Sequence, residues 1–255
     1  MNSGNTTSQA SFEQWFEPIG PTEQNATVFA FPFAGSGIFT FASWRNKFPN
    51  TNLFAAKLPG RDQRLQETPR ENLLDVADEV ADTIAAWQRP SGPLCFVGFS
   101  LGAVLAFEVT RRLQSRKVRV DLLVAGAARA PHGNWSRGKL HRMPDDRFLA
   151  KLNDLYGAVP QAVIENAEMR ELVLPMLRGD IKMYETYRYQ PGPPVDCEIL
   201  TLSGTEDAMV KPKHVYPWRE LGSSYRHRSF SGGHYFVREH TTGVLNAIRA
   251  RIARL

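Results

Sequence analysis

Short apolar runs alternate along this chain with longer stretches whose apolar residues recur every three or four positions. Thr27 to Phe31, Leu53 to Ala56, Leu94 to Val97, Val120 to Ala125, Glu198 to Leu202 and Tyr225 to Phe230 read as strands. Most are apolar without alternation, as expected of parallel strands covered on both faces. Between Glu71 and Trp87, Leu73, Ala77, Val80, Ile84 and Trp87 mark one face of an amphipathic helix. Ala103 to Val109 reads as a buried helix, and Val237, Val244, Leu245, Ile248, Ile252 and Leu255 mark a closing one. Strands alternating with helices predict an α/β fold with a mostly parallel sheet and helices on both faces. From about Ala130 to Pro191 the strand pattern stops. Phe148, Leu149, Leu152 and Leu155 predict one helix there, and Leu172 to Leu177 with Ile181 and Tyr184 another, so residues 130–191 form a helical insertion. Residues 1–25 are polar apart from Trp15-Phe16 and are expected to be a flexible arm, leaving 26–255 as the folded domain.

Gly98-Phe99-Ser100-Leu101-Gly102 lies where the third predicted strand meets the buried helix. G-x-S-x-G in that setting is a nucleophile elbow: a sharp turn lifts the serine hydroxyl above the sheet, beside a helix N-terminus that favours negative charge. A serine hydroxyl needs a base, and the base needs an orienting carboxylate. In the order serine, acid, histidine, the last two fall on loops after late strands. Of six histidines, His234 in Ser231-Gly232-Gly233-His234 follows the last strand; His227 falls within a strand and His240 on the closing helix. The acid belongs in Gly204-Thr205-Glu206-Asp207. Asp207 is the candidate, Glu206 would point differently, and Asp180 is an outside candidate within the insertion. Oxyanion donors are expected from the backbone N–H of Leu101 and of Ala34 in the loop after the first strand. That loop, Phe33 to Gly37, lacks the lysine of a phosphate-binding loop.

Composition narrows the setting. The net charge is +5, but the basic residues are dispersed, with Arg111-Arg112, Arg116-Lys117-Val118-Arg119 and Arg249, Arg251 and Arg254 as the densest groups. They read as solvated helix faces rather than a nucleic-acid surface. No apolar run reaches the ~20 residues of a membrane span. Met1 to Ala10 has neither the basic nor the apolar part of a secretory signal. Cys95 and Cys197 both fall in predicted buried strands and read as reduced core thiols, which suits the cytoplasm. No Cys/His spacing suggests a metal.

Taken together, Phe31-Pro32-Phe33-Ala34-Gly35, Leu58 to Arg64, Gly98 to Ala103, Leu177-Arg178-Gly179-Asp180, Tyr184 to Tyr187, Gly204 to Asp207 and Gly232 to Phe236 resemble the type II thioesterases of nonribosomal peptide and polyketide synthesis. The resemblance spans about residues 26–250. It implies an α/β-hydrolase core in which the helical insertion is a lid. It implies acyl or aminoacyl thioesters as substrates, carried on the phosphopantetheine of carrier protein domains, with no cofactor of the enzyme's own. Ser36 stands where the family commonly has a second glycine. Arg61 and Arg64 are expected either to be structural at the mouth of the site or to face an acidic carrier. A monomer is expected. The alternatives are a chain-terminating fatty acyl-carrier thioesterase, a general carboxylesterase, or an inactive hydrolase fold serving as a binding scaffold.

Overall fold

The apolar runs assemble into one sheet. The computed structural model describes residues 3–22, 24–88, 90–133, 138–157 and 159–255, with side chains from residue 9 onward. Its strands are β1 (Phe16–Pro18), β2 (Ala26–Phe31), β3 (Thr51–Ala56), β4 (Leu94–Phe99), β5 (Leu122–Gly126), β6 (Val195–Gly204) and β7 (Gly222–Phe230). They lie in the order β1-β3-β2-β4-β5-β6-β7, parallel throughout except for β1, which runs antiparallel to β3. The helices are α1 (Ser3–Trp15), α2 (Leu73–Ala86), α3 (Leu101–Ser115), α4 (Asp145–Tyr156), α5 (Gln161–Glu165), α6 (Ala167–Thr186), α7 (Pro212–Val215), α8 (Phe236–Glu239) and α9 (Thr241–Ile252).

Every residue of β2, β4 and β5 is buried, which explains their unbroken apolar character. Phe29, Phe96, Leu123 and Ile199 pack with α2 and α3 on one face. Val28, Cys95, Val124 and Leu200 pack on the other with Val244 and Ile248 of α9 and with Phe41 and Trp44. The fold is that of an α/β hydrolase. Helices α4, α5 and α6 make the expected insertion between β5 and β6, with a small core of their own that includes Phe148, Leu152, Val163 and Leu174. Residues 134–137 and Ala158 of that stretch lie outside the described residues.

The N-terminal segment departs from the expected flexible arm. Phe12, Trp15, Phe16 and Ile19 are buried. Phe12 stacks on Trp87 at 4.3 Å between centroids, and β1 extends the sheet by pairing Phe16 with Ala56. Aromatic surface outweighs the polar residues around it. Met1, Asn2 and Glu23 of that segment lie outside the described residues. The basic groups in and just after α3 and α9 lie on solvated faces, with Lys117, Arg119, Arg249 and Arg254 exposed, and several of their arginines form surface ion pairs. Arg112 and Arg116 reach α2 and bond Asp78 and Asp82, each at 2.6 Å, while Arg251 bonds Glu198.

Candidate active site

β4 delivers Ser100 in a backbone conformation that L-residues rarely adopt, φ +53° and ψ −115°. The return into α3 is so tight that its flanking positions must be glycine. A Cβ on Gly98 would lie 2.2 Å from the Gly102 carbonyl oxygen, and one on Gly102 would lie 2.3 Å from that of Phe31. The Ser100 N–H donates to the Gly126 carbonyl at 2.8 Å, which pins the elbow to β5.

The loops after β6 and β7 converge on this serine. His234 Nε2 is 3.1 Å from Ser100 Oγ, and His234 Nδ1 is 2.7 Å from Asp207 Oδ2. A carboxylate only accepts, so Nδ1 carries the proton and Nε2 is left to accept from the serine hydroxyl. The other Asp207 oxygen accepts the N–H groups of Met209 and Val210. Burial works against ionisation of Asp207. The hydrogen bond and charge of His234, with the two backbone donors, outweigh it and hold the carboxyl below its ordinary value. Glu206 turns away and accepts the Gly232 N–H. Asp180 is on α6, bonded to Arg61 rather than to His234. His227 bonds Thr201, and His240 bonds Ser231.

Ala34 and Leu101 both line the cavity beside Ser100. Among the described residues neither backbone N–H has an acceptor, whereas the neighbouring N–H of Gly35 donates to Asp180 and that of Ser36 to the Phe33 carbonyl. The hydroxyl of Ser36 also bonds the Phe33 carbonyl, at 2.9 Å, so this departure from glycine braces the loop. A mostly apolar cavity of about 350 Å³ opens beside Ser100, walled by Leu152 and Tyr156 of α4 and by Val173, Leu177 and Ile181 of α6. A second, of about 230 Å³, shares Ser100, His234, Tyr156, Ile181 and Tyr184 with the first and reaches Arg129 and Gly138. An activated serine, two free N–H donors and an apolar chamber are a setting for acyl transfer.

The chain matches the thioesterase domain family over residues 26–252. It is 31% identical to the solved structure of the type II thioesterase BorB from the borrelidin biosynthetic cluster, with a TM-score of 0.83, covering 93% of this chain and 97% of that one. The chain belongs to the type II thioesterases. It is also 33% identical over 220 residues to the gramicidin S biosynthesis protein GrsT of Aneurinibacillus migulanus, covering 83% of each. The thioesterase PikA5 of Streptomyces venezuelae is 31% identical over 238 residues, 92% of this chain and 84% of that one.

Two arginines of this thioesterase fall to the first of the two roles expected for them, the structural one. Arg61 and Arg64 do not face outward toward a carrier. Arg61 is buried against Asp180. Arg64 is buried too, bonding Glu67 and the Lys57 carbonyl, with its guanidinium 4.4 Å from the Trp15 ring. Sequence reasoning weighed Asp180 only as a catalytic acid and missed its hold on the Ala34 loop. The signal was present: a carboxylate among Leu177, Ile181 and Tyr184, on the apolar face of a helix. Tyr156 was also missed. Its ring lies 5.1 Å from that of His234 and borders both cavities, and nothing in its local sequence marks it.

Proposed function

We propose that this thioesterase clears acyl and aminoacyl groups from the phosphopantetheine arms of carrier protein domains, editing stalled or misprimed nonribosomal peptide or polyketide assembly lines. The observation that carries the reading is the unbroken chain Asp207–His234–Ser100 at the meeting point of two cavities. One cavity can take the acyl group while the other takes the arm. Ser100 Oγ attacks the thioester carbonyl as its proton passes to His234 Nε2. The N–H groups of Ala34 and Leu101 hold the oxyanion. The C–S bond breaks, His234 protonates the departing thiolate, and an acyl ester remains on Ser100. Water then gives a proton to His234 and attacks the ester, releasing the acid and restoring the serine. Asp207 holds the imidazole and stabilises its cation. Each of these steps uses only the enzyme's own groups and water.

GrsT is named for gramicidin S biosynthesis and BorB for the borrelidin biosynthetic cluster, which supports a place in a biosynthetic pathway. The buried thiols of Cys95 and Cys197 suit a cytoplasmic setting, where they stay reduced. The reading takes the working unit to be a monomer.

The test is a panel of acyl groups presented on a carrier protein and on small thiols, followed by rapid quench. A burst of acyl-enzyme mapped to Ser100, with broad turnover of short acyl groups, is expected. Ser100→Ala should remove both burst and turnover, and retention of more than about a tenth of activity would sink the assignment. A tight preference for long chains would favour the chain-terminating role. No burst with any thioester would favour the inactive scaffold.

A further inference from the structure

The loop that carries the Ala34 N–H is gripped from the lid. The Gly35 N–H donates to Asp180 Oδ2 at 2.7 Å. That oxygen also accepts Arg61 Nη1 at 2.6 Å, while Asp180 Oδ1 accepts Arg61 Nη2 at 2.7 Å. Arg61 Nη1 further donates to the Ser36 carbonyl at 3.0 Å. One ion pair thus fixes an N–H and a C=O directly after Ala34. Asp180 is fully buried and Arg61 only 6% exposed. Such a pair adds little net stability over an apolar replacement, because desolvation offsets the attraction. Its bidentate geometry does fix orientation.

Helix α6 contributes Asp180 and also walls the larger cavity through Val173, Leu177 and Ile181. Leu177, one turn before Asp180, presses on the loop itself: a Cβ on Gly35 would come within 2.4 Å of Leu177 Cδ2. One helix therefore touches both the cavity contents and the loop beside Ser100.

We propose that the Asp180–Arg61 pair is a positioning device that aims the Ala34 N–H at the oxyanion and ties that aim to the seat of the lid helix α6. An acyl group that displaces α6 lowers the rate of chemistry as well as the affinity. This rests on the reading of Ser100 as the nucleophile of an acyl-transfer site whose oxyanion the Ala34 and Leu101 N–H groups receive.

Asp180→Asn alone leaves the Arg61 charge buried without its partner, which is strongly destabilising. The deciding variant is therefore the double Asp180→Asn/Arg61→Gln, which removes both charges and keeps polar side chains of similar size. Its fold is checked by circular dichroism. The readouts are single-turnover acylation by a short-chain thioester of a small thiol, KM, and affinity for an alkyl boronic acid that forms a tetrahedral adduct on Ser100. We expect acylation and boronate affinity to fall together by about ten- to a hundred-fold, with KM unchanged within about twofold. A folded double variant that acylates and binds boronate like the unaltered enzyme overturns the inference, as does a loss confined to KM. In the unaltered enzyme, amide exchange at Gly35 should slow in step with α6 when a fatty acid fills the cavity. Exchange at Gly35 that ignores the occupant overturns the coupling whatever the variants do. Failure of the underlying reading looks different: Ser100→Ala would keep turnover, or the boronate would form no adduct with the unaltered enzyme.

Discussion

His234 can serve as a base toward Ser100 in only one tautomer, and Asp207 selects it by accepting from Nδ1 at 2.7 Å. An asparagine there would offer an amide N–H to the same nitrogen and favour the opposite tautomer. Asp207→Asn should therefore lower kcat by about four orders of magnitude near neutral pH without unfolding the protein, far more than any effect at Asp180. The same carboxylate leaves a mark on stability. Its folded pKa lies below the ordinary 3.8, because His234 and the Met209 and Val210 amides favour the anion despite its burial. Its contribution is thus complete above the ordinary value and is lost as pH falls through the lowered one. Melting curves should show the gap between the unaltered protein and Asp207→Asn narrowing in acid and level toward neutral pH. A gap that stays constant into strong acid would mean that the carboxylate is not held as its geometry implies.

Helices α4, α5 and α6 are fastened less firmly than the sheet they cover. Their own core is small, and Pro175 within α6 deprives the Glu171 carbonyl of its intrahelical donor. Segments with few buried apolar contacts open at lower free energy than core strands. Amide exchange over residues 145–174 should accordingly be faster than in β2, β4, β5 and α3, and a bound acyl-carrier mimic should slow it. Equal protection in lid and core, indifferent to the mimic, would refute a gating lid. The elements differ in how plainly the sequence announces them. Strands buried on both faces leave continuous apolar runs, so β2, β4 and β5 were legible within a few residues, as was the elbow between β4 and α3. The loops bearing Asp207 and His234 were legible because chain order and glycines restrict where they fall. Helix α1 and strand β1 were not, because Phe12, Trp15 and Phe16 stand among polar residues and are covered by partners farther along the chain, Phe12 by Trp87 and Phe54, Phe16 by Phe29 and Trp15 by Arg64. The bond from Gly35 to Asp180 joins residues 145 apart, and no local pattern encodes such a pairing. The roles of Arg61 and Arg64 stayed open in the sequence for the same reason, since isolated arginines in a Pro-Gly loop look like surface charge until their partners are folded against them.

The charge of the molecule is the property most relevant to its partner. The excess of +5 is left after acidic residues of α2 engage the arginines of α3 and after Arg61 and Arg64 are buried. Among the described residues no helix is long and apolar enough to cross a membrane. Arg238 is a cation well placed to meet a carrier. It is exposed on α8, borders the larger cavity, and has its guanidinium 4.7 Å from the Tyr235 ring with no carboxylate paired to it among the described residues. A carrier whose face is acidic around its arm would be drawn to such a rim. Charges at a rim act mainly on the association rate and its salt dependence, and exposed charges are screened beyond ~8–10 Å at ordinary ionic strength. Added salt should therefore lower kcat/KM for carrier-borne substrates more than for the same acyl group on a small neutral thiol. Reversal of charge in Arg238→Glu should weaken the carrier reaction more than the small-thiol reaction and flatten its salt dependence, whereas reversal at Arg64 should chiefly cost stability, because that guanidinium is locked to Glu67 and Trp15. Stopped-flow rates with both substrate types over a salt series decide the matter. Equal salt sensitivity for the two would mean that the positive charge serves solubility and takes no part in docking.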